Sequence, residues 1–297
     1  MKANPRVASS RVLFHFATGG FAHFLRLLEN SAQWAERWGF QLAVLSDSAK
    51  TLAYKSFGEI FQIDDILPIV SLASLPETAL ARADGRLMPD FQTVWQGHDC
   101  WITDGEITEP VKSLTRLNRF SKSPLITVGQ QKRFFHSEFR FIVPALRVRE
   151  EIMEQSAQLS AHIGSRPYIG VHFRNTDSQA SIGQVLSNLE ASIQSSEVNR
   201  VVWCSDDETS IDKARASFPM FDIVPGSVKP PLPPGAQSLH GGVSEDNVEW
   251  MLYSTIADLE VLTRAHDFVG SPNSAWSTLV PYLRAHPSVA NNFFARH

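Results

Sequence analysis

The chain has 297 residues, 43% of them hydrophobic and 20% charged, and a formal net charge of −4. That length is enough for two ordinary domains with buried cores. Interspersed charges of both signs exclude a general nucleic-acid or anionic-membrane binder. Two cysteines, Cys100 and Cys204, are too few for a disulfide framework or a structural zinc site.

In chain order, residues 12–17 read as a strand that is broken by Thr18-Gly19-Gly20. Phe21, Phe24, Leu25, Leu28, Ala32 and Ala35 then recur at helical spacing as far as Trp38, where Gly39 supplies a stop. Residues 40–45 read as a second strand, and such a βαβ unit predicts parallel sheet. Gly19 and Gly20 sit where free amides at a helix start can receive an anion. No third glycine completes a dinucleotide fingerprint, and a tight strand-to-helix turn needs glycine on its own account. Between residues 67 and 124, short apolar runs alternate with Pro, Gly and Asp. Within them 100–103 predicts a strand that ends at Asp104-Gly105-Glu106. Residues 144–163 predict a helix connecting two halves, with Glu150, Glu151 and Glu154 on its polar side.

The second half reads more cleanly. Tyr168-Ile169-Gly170-Val171-His172-Phe173-Arg174-Asn175-Thr176-Asp177 is an apolar strand that ends abruptly in polar groups. Side chains alternate along a strand, so His172 and Arg174 share the face opposite Val171 and Phe173. Ligands of open α/β sheets bind just beyond strand carboxyl ends, where an arginine suits a phosphate or carboxylate. A buried strand closing in an Arg174–Asp177 ion pair is the competing reading. A helix over 183–194 follows, then a strand over 200–204 ending in Ser205-Asp206-Asp207-Glu208, a helix to Phe218 and a short strand over 221–224. Residues 225–247, with five prolines and Gly241-Gly242, predict an irregular, mobile loop. A long helix over 248–265, a strand over 268–270 and a helix from Ser274 complete the chain.

Three of these segments can carry chemistry. Ser205-x-x-Glu208 fits a helix capping box, and the alternative places Asp206 or Asp207 beside a ligand. In Ser271-Pro272-Asn273-Ser274, Asn273 or Ser274 can cap a helix whose free amides also suit a phosphate. Asp258 lies in the long helix, one face of which carries Met251, Leu252, Thr255, Leu259 and Leu262. A carboxylate there is either a solvated helix residue or a partner for the N1–H and N2–H₂ donors of guanine. No Asp-x-Asp, His-x-x-x-His, Gly-x-Ser-x-Gly or P-loop pattern occurs. The sequence thus predicts no metal. With no evident signal peptide and no apolar run of about 18 residues, it also predicts a cytoplasmic protein with no membrane span.

Taken in order, Gly170-Val171-His172-Phe173-Arg174-Asn175-Thr176-Asp177, Val202-Trp203-Cys204-Ser205-Asp206-Asp207, and Ile256-Ala257-Asp258-Leu259 through Ser274-Ala275 resemble the three motifs of the α-1,6-fucosyltransferase superfamily. The Thr18-Gly19-Gly20-Phe21 turn is similar to that family's N-terminal glycine loop. The resemblance implies an α/β GT-B fold, with two Rossmann-like domains of mostly parallel sheet facing a cleft. These would be residues 1–145 on the acceptor side and 146–297 holding the sugar nucleotide. It implies inverting transfer of L-fucose from GDP-fucose to a sugar hydroxyl of a glycan, with no metal and no cofactor beyond the donor itself. By position, Arg174 would be the catalytic group at the β-phosphate, His172 would line the nucleotide site and Asp258 would read guanine. Asn273 and Ser274 would lie at the pyrophosphate, and Gly19 and Gly20 would complete the donor site. Asn175, Asp177, Ser205 and Asp206 are further candidates near the ligand. Asn175 stands where the family has a second arginine. Ser178 and Ile182 stand where some members have a lysine and a glutamate that activate the acceptor. Asp104 and Glu106 are the candidates for the general base. The same fold using another nucleotide sugar, or a non-catalytic sugar-nucleotide or glycan binder, are the alternatives.

Overall fold

Two four-stranded parallel sheets organise the chain, one in each of two compact units, 1–147 and 148–297. The computed structural model describes residues 12–16, 20–38, 41–45, 50–63, 80–83, 86–89, 100–103, 125–128, 139–174, 181–207, 209–231, 243–272 and 274–295.

In the first unit, β1 (Val12–Phe16) lies between β2 (Gln41–Leu45) and, further along the chain, a strand over Leu125–Val128. The β1–β2 crossover is the helix Phe21–Trp38, whose apolar spacing puts Phe21, Phe24, Leu25, Leu28 and Ala32 in the core. A short helix, Phe57–Ile60, leads into β3 (Phe61–Ile63). Its Phe57 ring meets Phe24 edge-on, with centroids 5.8 Å apart, and packs on Phe61 at 4.8 Å. An antiparallel hairpin of β4 (Leu80–Ala83) and β5 (Arg86–Pro89) follows, where the sequence shows no clear pattern. The expected strand at 100–103 is β6 (Cys100–Thr103), which pairs in parallel with β7 (Leu125–Val128) to give the order β2-β1-β7-β6.

The helix expected over 144–163 is shorter than that. Pro144 lies in a 3-10 turn, Val143–Ala145, and the chain then extends as β8 (Leu146–Val148). Leu146 and Val148 are buried with Arg147 half-buried between them, a period of two that the long helical window hides. The helix proper is Glu150–Ser160.

The second unit contains β9 (Ile169–Phe173), β10 (Arg200–Ser205), β11 (Asp222–Pro225) and β12 (Asp267–Gly270) in the order β11-β10-β9-β12, all parallel. Every residue of β9 is buried. Ile169, Val171 and Phe173 join Val201 and Trp203 in a core closed by Val185 and Leu189 of the helix Ile182–Gln194 and Ala214 of the helix Ser210–Ser217. The opposite face meets the helix Val248–Arg264. That helix comes so close that a Cβ on Gly170 would stand 2.9 Å from Ala265 Cβ and 3.1 Å from Leu262 Cδ2. Glycine is required there for packing, not for a turn.

Candidate functional site

The chain steps from β9 outward to β10 and β11, then returns to lay β12 on the other side of β9. Connections therefore diverge at the carboxyl ends of β9 and β12, the switch point where open α/β sheets form a ligand crevice. Register fixes what stands there. Gly270 of β12, His172 of β9 and Cys204 of β10 are neighbours in one row across the sheet, at its carboxyl edge. Gly270 is itself confined, since a Cβ there would lie 2.4 Å from Ser277 Oγ.

Ser271 ties the two strand ends together. Its backbone N–H donates to His172 O at 2.9 Å and its hydroxyl to the same oxygen at 3.1 Å. Arg174 N–H in turn donates to Ser271 Oγ at 2.9 Å. The backbone that carries Arg174 is thus anchored, while its side chain, half-buried, extends from the end of β9. His172 is buried and its ring lies against Trp276, with centroids 4.9 Å apart and planes 12° from parallel. Ser274 is also buried, and its hydroxyl accepts from Trp276 N–H at 3.3 Å. The N-cap of the helix Trp276–Ala285 is Ala275, so Ser274, one of the two caps expected from the sequence, lies one position before the observed cap.

A second group lies on the same face of the sheet. Asp258 is buried inside the helix Val248–Arg264, not solvated. Its Oδ2 accepts from Lys229 Nζ, a pair whose side chains are only 7% and 12% exposed. Its Oδ1 is buried with no N–H or O–H donor among the described residues and faces the Cys204 thiol. Gly226 closes that corner: a Cβ there would lie 2.3 Å from Cys204 Sγ and 2.7 Å from Asp258 Oδ1. Burial, and after it the Asp258 carboxylate, push the Cys204 thiol well above its usual range, with Lys229 acting the other way. Since Cys204 is the register partner of His172, Asp258 approaches the sheet one strand over from His172, a spacing of about 4.8 Å.

Ser205 does not cap the helix that follows, and Glu208 lies outside the described residues. The next helix starts at Ser210 with Thr209 as N-cap, too late for Ser205 to cap it. Instead Ser205 Oγ accepts from Asp207 N–H at 3.0 Å, and Asp207 Oδ1 accepts from the backbone N–H and hydroxyl of Thr209 at 3.0 and 2.7 Å. These serine and aspartate oxygens shape the turn after β10. Asp206 is half-buried beside them. Gly20 is buried at the start of the helix Phe21–Trp38, and its carbonyl accepts from Phe24 N–H at 2.9 Å. Gly19, Asp104, Glu106, Asn175, Asp177, Ser178 and Asn273 lie outside the described residues, as does most of the expected loop, at 232–242. Sequence reasoning misses Lys229, Gly226 and Trp276. Among the described residues no group of three or more His, Cys, Asp or Glu could hold a metal, and no helix is long and apolar enough to cross a membrane.

No protein-family model and no curated protein matches the sequence. Solved structures do match over nearly the whole chain. An α-1,6-fucosyltransferase, NodZ, soaked with GDP-fucose is 20% identical, with 93% of each chain covered and a TM-score of 0.59. NodZ from Bradyrhizobium gives 19%, 92% of each chain and 0.57. POFUT1 in complex with GDP gives 14%, 93% of this chain and 96% of that one, and 0.53. The fold is that of the GT-B fucosyltransferases. In this GT-B chain the β9–β12 switch point belongs to the second unit, with Arg174, His172, Ser271 and Trp276 gathered around it.

Proposed function

We propose that the protein is a glycosyltransferase that moves L-fucose from GDP-fucose to a sugar hydroxyl of a glycan or oligosaccharide, with inversion and without a metal. The observation that carries this reading is the meeting of Arg174, the buried His172–Trp276 stack and the Ser271–Ser274 turn where β9 and β12 diverge. Support comes from the fold shared with NodZ soaked with GDP-fucose and with POFUT1 bound to GDP-fucose.

On this reading the β-phosphate binds Arg174, and the first amides of the helix Trp276–Ala285 reinforce it. The acceptor oxygen forms a bond to C1 of the sugar as the bond from C1 to the β-phosphate oxygen breaks. The electron pair of that bond leaves with GDP, and the acceptor's proton passes to a base. Negative charge grows on the β-phosphate during this step. A guanidinium carried on an anchored strand end stabilises that charge. Asp258 reads the guanine edge, and Asp104 and Glu106 are the proposed bases.

A second reading, a GDP-sugar binder without turnover, is favoured by Asn175 in place of a second arginine and by Ser178 and Ile182 in place of acceptor-activating groups. Titration calorimetry with GDP, with UDP as comparator and EDTA present, tests the nucleotide site. GDP-selective binding that Arg174→Ala abolishes supports both readings, and release or transfer of fucose from GDP-fucose separates them. A preference for UDP overturns both.

A further inference from the structure

We infer that Lys229 is a specificity-determining placeholder: its ammonium occupies the Asp258 carboxylate in the empty site and is displaced when guanine binds. The inference rests on the reading of Asp258 as the guanine-binding carboxylate.

Asp258 and Lys229 form an ion pair taken almost entirely out of water. Such pairs are poor stabilisers, because desolvation offsets most of the attraction unless every lone pair is satisfied. Here it is not. Lys229 serves Oδ2, while Oδ1, walled in by Gly226 and facing only a thiol, has no N–H or O–H donor among the described residues. A thiol is a weak donor. The carboxylate is therefore under-satisfied by one strong hydrogen bond. Guanine presents two parallel donors, N1–H and N2–H₂, from one edge, and can serve both oxygens together. Uracil presents only one, its N3–H, between two carbonyl acceptors.

The surroundings let the side chain leave while the backbone stays. Val228 N–H donates to Leu159 O at 3.0 Å, and Trp250 Nε1–H donates to Val228 O at 3.0 Å, which pins the chain next to Lys229. Beyond Asp258, the ammonium's only other hydrogen bond among the described residues goes to Ser227 Oγ at 3.0 Å, and that hydroxyl already donates to Ser254 O. A flexible four-carbon stem next to the half-exposed Val228 can turn its strongly hydrated head into solvent without moving a secondary-structure element.

The test uses the unmodified chain first. Reductive methylation of lysines, mapped by mass spectrometry, should find Lys229 protected in the empty protein and at least about tenfold more reactive with saturating GDP. Equal protection with GDP bound overturns the inference. Calorimetry then compares wild type with K229M and K229M/D258N, the double variant removing both charges so that neither remains buried alone. We expect K229M to melt lower when empty and to bind GDP about tenfold tighter, equivalent to about 1.4 kcal/mol, and the double variant to lose that gain. If K229M binds GDP no better while the double variant binds worse, Asp258 reads guanine but Lys229 is not a placeholder. If the double variant binds GDP as K229M does, the guanine role of Asp258 itself fails.

Discussion

The imidazole of His172, near the end of β9, lies flat on the indole of Trp276, 4.9 Å away between centroids and 12° from parallel. One ring comes from a strand and the other from the first residue of the following helix, so the stack fixes the two sides of the switch point to each other. An aromatic pair of this kind contributes about 0.5–1.5 kcal/mol beyond the area it buries.

Trp276→Ala should therefore do two things. Removing a buried indole costs stability, roughly 3–5 kcal/mol, and it takes away the face on which the His172 ring stacks. Trp276→Phe keeps an aromatic face and should recover most of the nucleotide affinity, with only part of the stability. Thermal unfolding and GDP titration on the two variants check this. GDP affinity equal to wild type in a folded Trp276→Ala variant would show that the site does not depend on the stack.

Arg174→Ala should lower fucosyl turnover by about 10²–10³-fold, the scale seen when one preorganised donor to a developing anion is removed. The backbone at position 174 should keep its place in the variant, because Ser271 holds it through the amide. Arg174→Lys should rescue little, since an ammonium cannot offer the planar fork that a phosphate accepts. Single-turnover kinetics with saturating donor, alongside melting curves, separate loss of chemistry from loss of structure.

The elements with strong periodicity were legible. Phe21, Phe24, Leu25 and Leu28 define the helix Phe21–Trp38 without ambiguity, and the apolar run before Arg174 defines β9. Position 258 was legible only as a choice between a solvated helix residue and a partner for guanine, and its burial rules out the first. Its partner was not legible. Lys229 is 29 positions away in a proline-rich stretch with no pattern of its own, and only the fold brings the two together. The Leu146–Val148 strand failed for a different reason: two apolar residues two apart fit a helix end as well as a strand. The Ser205–Glu208 spacing matched a capping box, but the chain uses Ser205 and Asp207 to bend the turn first and begins its helix later.

Glu29 is a second residue whose role no pattern announces. It is buried in the helix Phe21–Trp38, and its carboxylate accepts backbone N–H groups of Arg140 and Phe141 on Oε1 at 2.6 and 2.7 Å, and of Ile142 and Val143 on Oε2 at 2.8 and 3.4 Å. Four consecutive amides thus converge on one side chain. Glu29→Gln is nearly isosteric but turns an NH₂ toward two of those donors. Each buried donor left unsatisfied costs about 1–3 kcal/mol. The variant should lower the melting temperature by several degrees, at roughly 2–4 °C per kcal/mol for a domain of about 150 residues. Scanning calorimetry on the variant beside wild type measures the drop.

Alkaline pH should weaken the second unit through Cys204 and Tyr168. Burial raises both acids: the thiol well above its usual range, and the Tyr168 phenol, which donates to Val261 O at 2.8 Å, to about 12. A raised acid keeps its proton in the folded state while the unfolded chain has already released it. Above the unfolded thiol value of about 8.5 the unfolded state therefore binds fewer protons, and stability falls as pH rises. The decline should begin near that pH and steepen above about 10, where unfolded tyrosine also ionises. Cys204→Ala should remove the first part of the slope and leave the second. The same burial predicts that Cys204 resists alkylation in the native protein at pH 8 and reacts only after unfolding, because the thiolate is the nucleophile. Denaturant unfolding between pH 7 and 11, together with iodoacetamide labelling mapped to Cys204, would contradict this account if stability stayed flat and the native thiol reacted readily.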